Sequence, residues 1–248
     1  MIPGNYLLRR CSACSGKIAW PMFVTMHLSE TLFWTDGYAE TLGAPIGKPL
    51  IRCPRCRAFI WAYELEEAGE APRTGIARDE KPFDKFIATG VRSFEDDIAM
   101  IEIPTFQDYA EACSSSFISE NAEKTVVSYA WDVSFITTTE KHIRLNAWHT
   151  GNHPRRFGNP DAASPLSQEE RSNLLALLGM LDTTGKVELL LKAECLRELG
   201  KFEEARGMLR SSFGAYANIA RTIGLLTQRE SRTVGRIEYK YFVYTDER

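Results

Sequence analysis

Two cysteine pairs of the same form constrain this chain more than any other feature: Cys11-Ser-Ala-Cys14 and Cys53-Pro-Arg-Cys56. Leu and Arg precede each pair, as Leu7-Leu8-Arg9-Arg10 and Leu50-Ile51-Arg52. An apolar, strand-like tail follows each, running through Ile18 to Trp20 and through Ile60 to Trp61. A turn of this kind wraps two sulfurs around one ion and aims backbone N–H groups at them. Two turns supply four thiolates, the number and softness that tetrahedral zinc prefers. The spacing therefore predicts one zinc ion held by Cys11, Cys14, Cys53 and Cys56. The gap between pairs exceeds the ~15–20 residues of compact zinc sites. It is tolerated because loop-closure entropy grows slowly with length.

Four protein thiolates leave no open position for water or substrate, so the site is structural rather than catalytic. A module this small has little core of its own, and the metal would contribute on the order of 10 kcal/mol to its folding. A redox-active dithiol and a disulfide are the alternatives; the first needs a thioredoxin-like βαβ setting that the sequence does not show. With Leu7–Trp20 and Leu50–Trp61 each reading as strand, turn and strand, the N-terminal zone, residues 1–68, resembles the zinc ribbon family. The resemblance places Cys11, Cys14, Cys53 and Cys56 in the ligand positions. Ribbons often put Gly after the second cysteine. Ser15-Gly16 keeps that habit, and Arg57-Ala58 departs from it.

Cations crowd the pairs: Arg9, Arg10, Lys17, Arg52, Arg55 and Arg57. They either offset the net charge of −2 on a zinc with four thiolates or bind phosphate, with Trp20, Trp34, Phe59 or Trp61 as stacking surfaces. The whole chain carries a net charge of −3, so a nucleic-acid reading rests on this rim alone.

The rest of the chain divides by composition. Residues 69–103 read as a polar linker punctuated by Pro and Gly, containing the acidic run Ser93-Phe-Glu-Asp-Asp97. Residues 104–235 read as helical. Thr105 is a candidate cap for the first helix, and the run from Asn121 to Thr139 reads as a second. The stretch from His149 to Pro165 reads as a loop, because Gly151, Asn152 and Pro154 interrupt any helix; its His149 and His153 are loop histidines with a shared metal as the alternative. A Ser before the acidic turn of Gln168-Glu-Glu starts another helix. Cys113 and Cys195 fall in helical patterns and read as buried apolar groups. The tail, residues 236–248, alternates Ile237, Tyr239, Tyr241 and Val243; it reads as a strand that must join a sheet, and the N-terminal sheet is the expected host.

The run from Glu188 to Phe213 resembles a tetratricopeptide repeat hairpin. Leu189, Ala193 and Leu196 fall on its first helix, Gly200 at its turn, and Phe202, Ala205 and Leu209 on its second. "FWTDGYAETLGAPIGKPLIRCPRCRAFIW", "EKHIRLNAWHTGNHPRR" and "LRELGKFEEA" together look like a group of uncharacterised bacterial proteins, which implies a bacterial origin and no particular activity.

The expected fold is α+β, a small zinc ribbon followed by a helical region. The expected function is a non-enzymatic zinc protein that contacts a protein partner. Nucleic-acid binding through the basic rim is one alternative; an enzyme with a site between the two regions, using His149, His153 or the acids near Asp96, is the other. No nucleophile elbow, phosphate loop or dinucleotide fingerprint is legible. The N-terminus lacks the pattern of a secretory signal and no apolar run reaches the ~18 residues of a membrane span. A cytoplasmic protein without a membrane partner is expected.

Overall fold

The computed structural model describes residues 2–25, 31–41, 50–71, 98–157 and 165–238. Its fold is α+β, and the chain divides into two compact units. The first takes residues 1–30 and 41–108; the second takes residues 31–40 and 109–248.

In the first unit, strands β1 (Ile2–Arg10) and β2 (Lys17–Thr25) form an antiparallel hairpin around the first cysteine pair. A second, shorter hairpin, β5 (Leu50–Arg52) and β6 (Phe59–Trp61), encloses the second pair. Strand β7 (Glu66–Ala71) adds to the free edge of β1, and β8 (Ile98–Met100) runs parallel to β2, giving the order β7-β1-β2-β8. Cys11, Ile18, Ile51, Cys53, Ile60 and Leu65 form one buried cluster, so the first sulfur of each pair is a core group. Between β7 and β8, residues 72–97, including Ser93 to Asp97, lie outside the described residues.

In the second unit, β3 (Thr31–Trp34) pairs with β4 (Ala39–Thr41) and with β11 (Arg236–Ile237). The register sets Ile237 against Phe33. Of the strand expected at the C-terminus, residues 239–248 lie outside the described residues. The described helices are α1 (Phe106–Ser114), α2 (Phe117–Glu120), α3 (Thr139–Phe157), α4 (Gln168–Met180), α5 (Lys186–Glu198), α6 (Phe202–Met208) and α7 (Ala217–Gln228). None is long and apolar enough to cross a membrane. Leu145, Trp148, Leu174, Leu177, Leu190 and Leu191 are central to the core.

Local signals place several ends. Thr105 caps α1: its Oγ1 accepts from the Asp108 N–H at 3.2 Å, and Asp108 Oδ2 accepts from the Thr105 N–H at 2.9 Å. Ser167 and Glu170 close a full capping box on α4. The α5–α6 turn needs Gly200, at φ +80°, and the Lys201 N–H returns to the Leu196 carbonyl at 2.8 Å. Ala193 and Ala205 on these two helices are both fully buried.

Two segments differ from the sequence reading. The run from Asn121 to Thr139 is not a helix: it holds the hairpin β9 (Thr125–Ala130) and β10 (Val133–Thr138). Val126, Ser128 and Ala130 are buried while Thr125, Val127 and Tyr129 are exposed, a period of two in a β-branched segment. Trp131 and Asp132 both take positive φ (50° and 64°), as a two-residue hairpin turn requires. Trp131 is held there by its neighbours: its N–H donates to Gly37 O at 2.9 Å and its indole N–H to Trp34 O at 2.7 Å.

The stretch from His149 is likewise not a loop, because α3 continues to Phe157 with Pro154 inside it. Proline cannot donate, yet side chains tie this last turn down. Arg155 Nη1 donates to Gly151 O at 3.0 Å and its fork pairs with Glu170; Arg156 Nη1 donates to His149 O at 2.8 Å.

Candidate metal centre

Both cysteine pairs make the same turn. The Cys11 N–H donates to Gly16 O (2.9 Å) and the Ser15 N–H to Cys11 O (2.9 Å). The Cys53 N–H donates to Ala58 O (2.9 Å) and the Arg57 N–H to Cys53 O (3.0 Å). The left-handed position falls on Ser15 (φ 58°) and Arg57 (φ 63°), one residue before Gly16 and Ala58. The departure at Arg57-Ala58 therefore changes nothing in the turn. Glycine at position 16 leaves room for Arg55: a Cβ there would lie 2.6 Å from Arg55 Cδ and would displace that exposed side chain.

The two turns converge. The four sulfurs lie within 4.8 Å of one another. Cys11 and Cys56 sulfurs are 3.8 Å apart, as are those of Cys14 and Cys53. A regular tetrahedron with bonds of about 2.3 Å has edges of about 3.8 Å, so a zinc-sized, sulfur-loving ion fits. The short distances cross from one pair to the other, which makes a single four-sulfur cluster rather than two separate dithiols. All four are free thiols. Cys11 and Cys53 are buried, and Cys14 and Cys56 face solvent.

These environments split the acidities. Burial pushes the Cys11 thiol up to about 12 and raises Cys56 as well. The Gly16 N–H, bonded to the Cys14 sulfur, brings that thiol down to about 7. Only a cation at the centre lets all four ionise at this separation, since like charges a few Å apart repel strongly.

Four of the six rim cations face acids. Arg9 stands opposite Glu67 and Arg10 opposite Glu66 in the β1–β7 register. Arg52 and Arg57 both pair with Asp108, and Arg57 with Glu102. Trp61 is fully buried, stacked on Tyr63 at 5.6 Å, and Trp34 belongs to the second unit. Two of the rim's cationic side chains also serve the fold: Arg9 Nη1 donates to Ala62 O, and Arg52 donates through Nε to Arg57 O and lies over the Phe59 ring.

A second constellation, inside the second unit, was not legible in the sequence. Asp36 is fully buried and forms an ion pair with Arg156. The His149 Nε2–H donates to Asp36 O at 3.0 Å, and Asn152 Nδ2 reaches both Asp36 Oδ2 and Glu198 Oε1 at 3.1 Å. Trp148 Nε1–H donates to Glu198 Oε2 at 3.2 Å. Beside them Arg197 grips Glu194 through two bonds, of 2.7 and 2.5 Å. Burial drives Asp36 upward, but Arg156 and His149 outweigh it and hold its carboxyl below the usual range. Burial, reinforced by Glu194, pushes Glu198 up to about 8. His149 and His153 share a helix face in register, yet His149 is buried in this network and His153 is exposed. Among the described residues the cysteine cluster alone groups enough ligands for a metal. Cys195 is buried and Cys113 partly so.

No model of a known protein family matches the chain, and neither does any curated protein or any solved structure.

Proposed function

We propose that this is a zinc protein whose metal is structural and whose second unit offers a surface to a protein partner. The observation that carries the metal reading is the agreement between the 3.8 Å sulfur edges and a zinc–thiolate tetrahedron. Cys11, Cys14, Cys53 and Cys56 would hold the ion, which would supply charge balance and cross-linking and no reactivity. A reducing, cytoplasmic setting suits four free thiols. The N-terminal hairpins then work as a zinc ribbon, and α5 with α6 as a tetratricopeptide-like pair. Metal analysis and thiol titration of the purified chain test this. One zinc per chain with no titratable thiol among the four is expected, and loss of that zinc in Cys14→Ser and Cys53→Ser. Iron in its place, or metal-free protein from zinc-replete cells, overturns the reading.

Protein contact is favoured by the outer face of the β9–β10 hairpin. Val127, Tyr129 and Ile136 are 49%, 62% and 72% exposed, and Val127 stands directly opposite Ile136. Apolar groups gathered on one uncharged face mark contact surfaces. Four of the rim cations, Arg9, Arg10, Arg52 and Arg57, by contrast, already face carboxylates, which weighs against phosphate binding there. Affinity capture from the source cell should yield a partner that Tyr129→Lys fails to hold.

A further inference from the structure

A groove of about 460 Å³ runs along α6 and α7, with Leu209, Phe213, Ala220 and Gly224 in its lining and Arg206 and Arg221 beside them. The apolar part is low because Ala220 and Gly224 carry little or no side chain. A Cβ built on Gly224 would first meet Leu209 Cδ1 at 3.9 Å, so there is room above the helix. The volume falls within the range of ligand sites.

The lining itself is one-sided in charge, with Arg206 and Arg221 and no Asp or Glu. From Ala205 to Arg229 the chain carries Arg206, Arg210, Arg221 and Arg229 and no Asp or Glu, in a protein whose net charge is −3. Arg221 Nη2 reaches the uncharged Asn218 Oδ1 at 3.3 Å. Arg206 pairs with Glu203 and donates to Thr227 O at 3.5 Å, but Glu203 is 86% exposed, and a pair with so exposed a partner is weak and readily exchanged. A ligand that matches the surface needs apolar groups for the lining and carboxylates for the two guanidinium forks. Nucleic acid is a poor match, because the one aromatic side chain in the lining, Phe213, is itself buried and offers no ring face for stacking.

We infer that the α6–α7 groove receives an acidic, apolar-anchored peptide segment of a partner protein, with its Leu- or Phe-like side chains over Gly224 and its carboxylates on Arg206 and Arg221. This rests on the protein-contact reading above and adds to it the place and chemistry of one contact. The segment lies along the two helices, and its selectivity comes from charge.

The test is a random-peptide display selection against the full chain, followed by binding measurements on the retained peptides. Two variants serve as comparators. Gly224→Leu fills the groove in open space and replaces a poor helix former with a good one; Arg221→Glu reverses one charge. Circular dichroism confirms that each stays folded. Expected are peptides rich in Asp or Glu together with Leu or Phe, whose affinity falls with added salt. Both variants should bind them about tenfold more weakly or worse. Peptides that bind wild type and Gly224→Leu equally would overturn the groove while leaving protein contact in place. Retained peptides without an acidic bias would overturn the ligand chemistry. No enrichment at all would remove both.

Discussion

Ser15 and Arg57 sit in a backbone region that costs an ordinary L-residue about 1–2 kcal/mol, each directly after the second cysteine of its pair. Strain at two equivalent positions persists because the sulfurs must be aimed at one point. Glu198 carries a different load. It faces Asn152 and Trp148 as donors, with Glu194, Arg197 and Asp36 around it, and Arg197 is committed to Glu194. With Asp36 and Glu194 each matched by an arginine, the third carboxyl keeps its proton up to about pH 8, against an ordinary 4.5. Below about pH 4.5 folded and unfolded chains both hold that proton. Between about 4.5 and 8 only the folded chain does, so stability falls as pH rises, with a slope of up to about 1.4 kcal/mol per unit. Denaturant midpoints measured near pH 6 and near pH 9 should show this loss in wild type. Glu198→Gln, which cannot ionise, should flatten the profile; an unchanged slope would move the titration to another group.

At the scale of elements, the β9–β10 hairpin is held by its turn and by the face it buries. Asp132 is exposed at φ 64°, so glycine there removes the left-handed cost, while a β-branched residue enlarges it. Asp132→Gly should stabilise the second unit by up to about 1 kcal/mol, and Asp132→Val should destabilise it by about 1–2 kcal/mol. Thermal melts followed by circular dichroism decide this; equal melting for both variants would mean that the turn does not hold the hairpin. The same hairpin explains why periodicity misled. Val126 and Val127 are adjacent, and Tyr129, Ala130 and Trp131 are consecutive, so apolar residues recur at three and four as readily as at two. Only the face buried against α3 tells the periods apart. The Thr105 and Ser167 caps were legible because a cap is read from residues three apart.

Across the molecule, each unit has its own apolar core, and the four-cysteine cluster lies in that of the first. Chelation should therefore loosen the first unit and expose Trp61, while the helices of the second persist. Tryptophan fluorescence should shift to the red on adding a strong chelator, with the helical circular dichroism signal largely kept; a joint collapse would show that the two units fold as one. The division itself was hidden in the linear order. Residues 31–40 lie between the two cysteine pairs, yet they belong to the second unit, where Asp36 meets Arg156 and Thr31–Trp34 meets Arg236–Ile237.

The amino-acid order alone made legible what depends on near neighbours: the two cysteine pairs, their matching turns, the helix caps and the Gly200 bend. Tertiary structure alone decided which strands answer one another and which charges are buried. Glu66 and Glu67 facing Arg10 and Arg9, and Asp36 reaching Arg156, join residues too far apart for any local rule. Such pairings are stable only when packing elsewhere has already met the entropy of closing the loops between them.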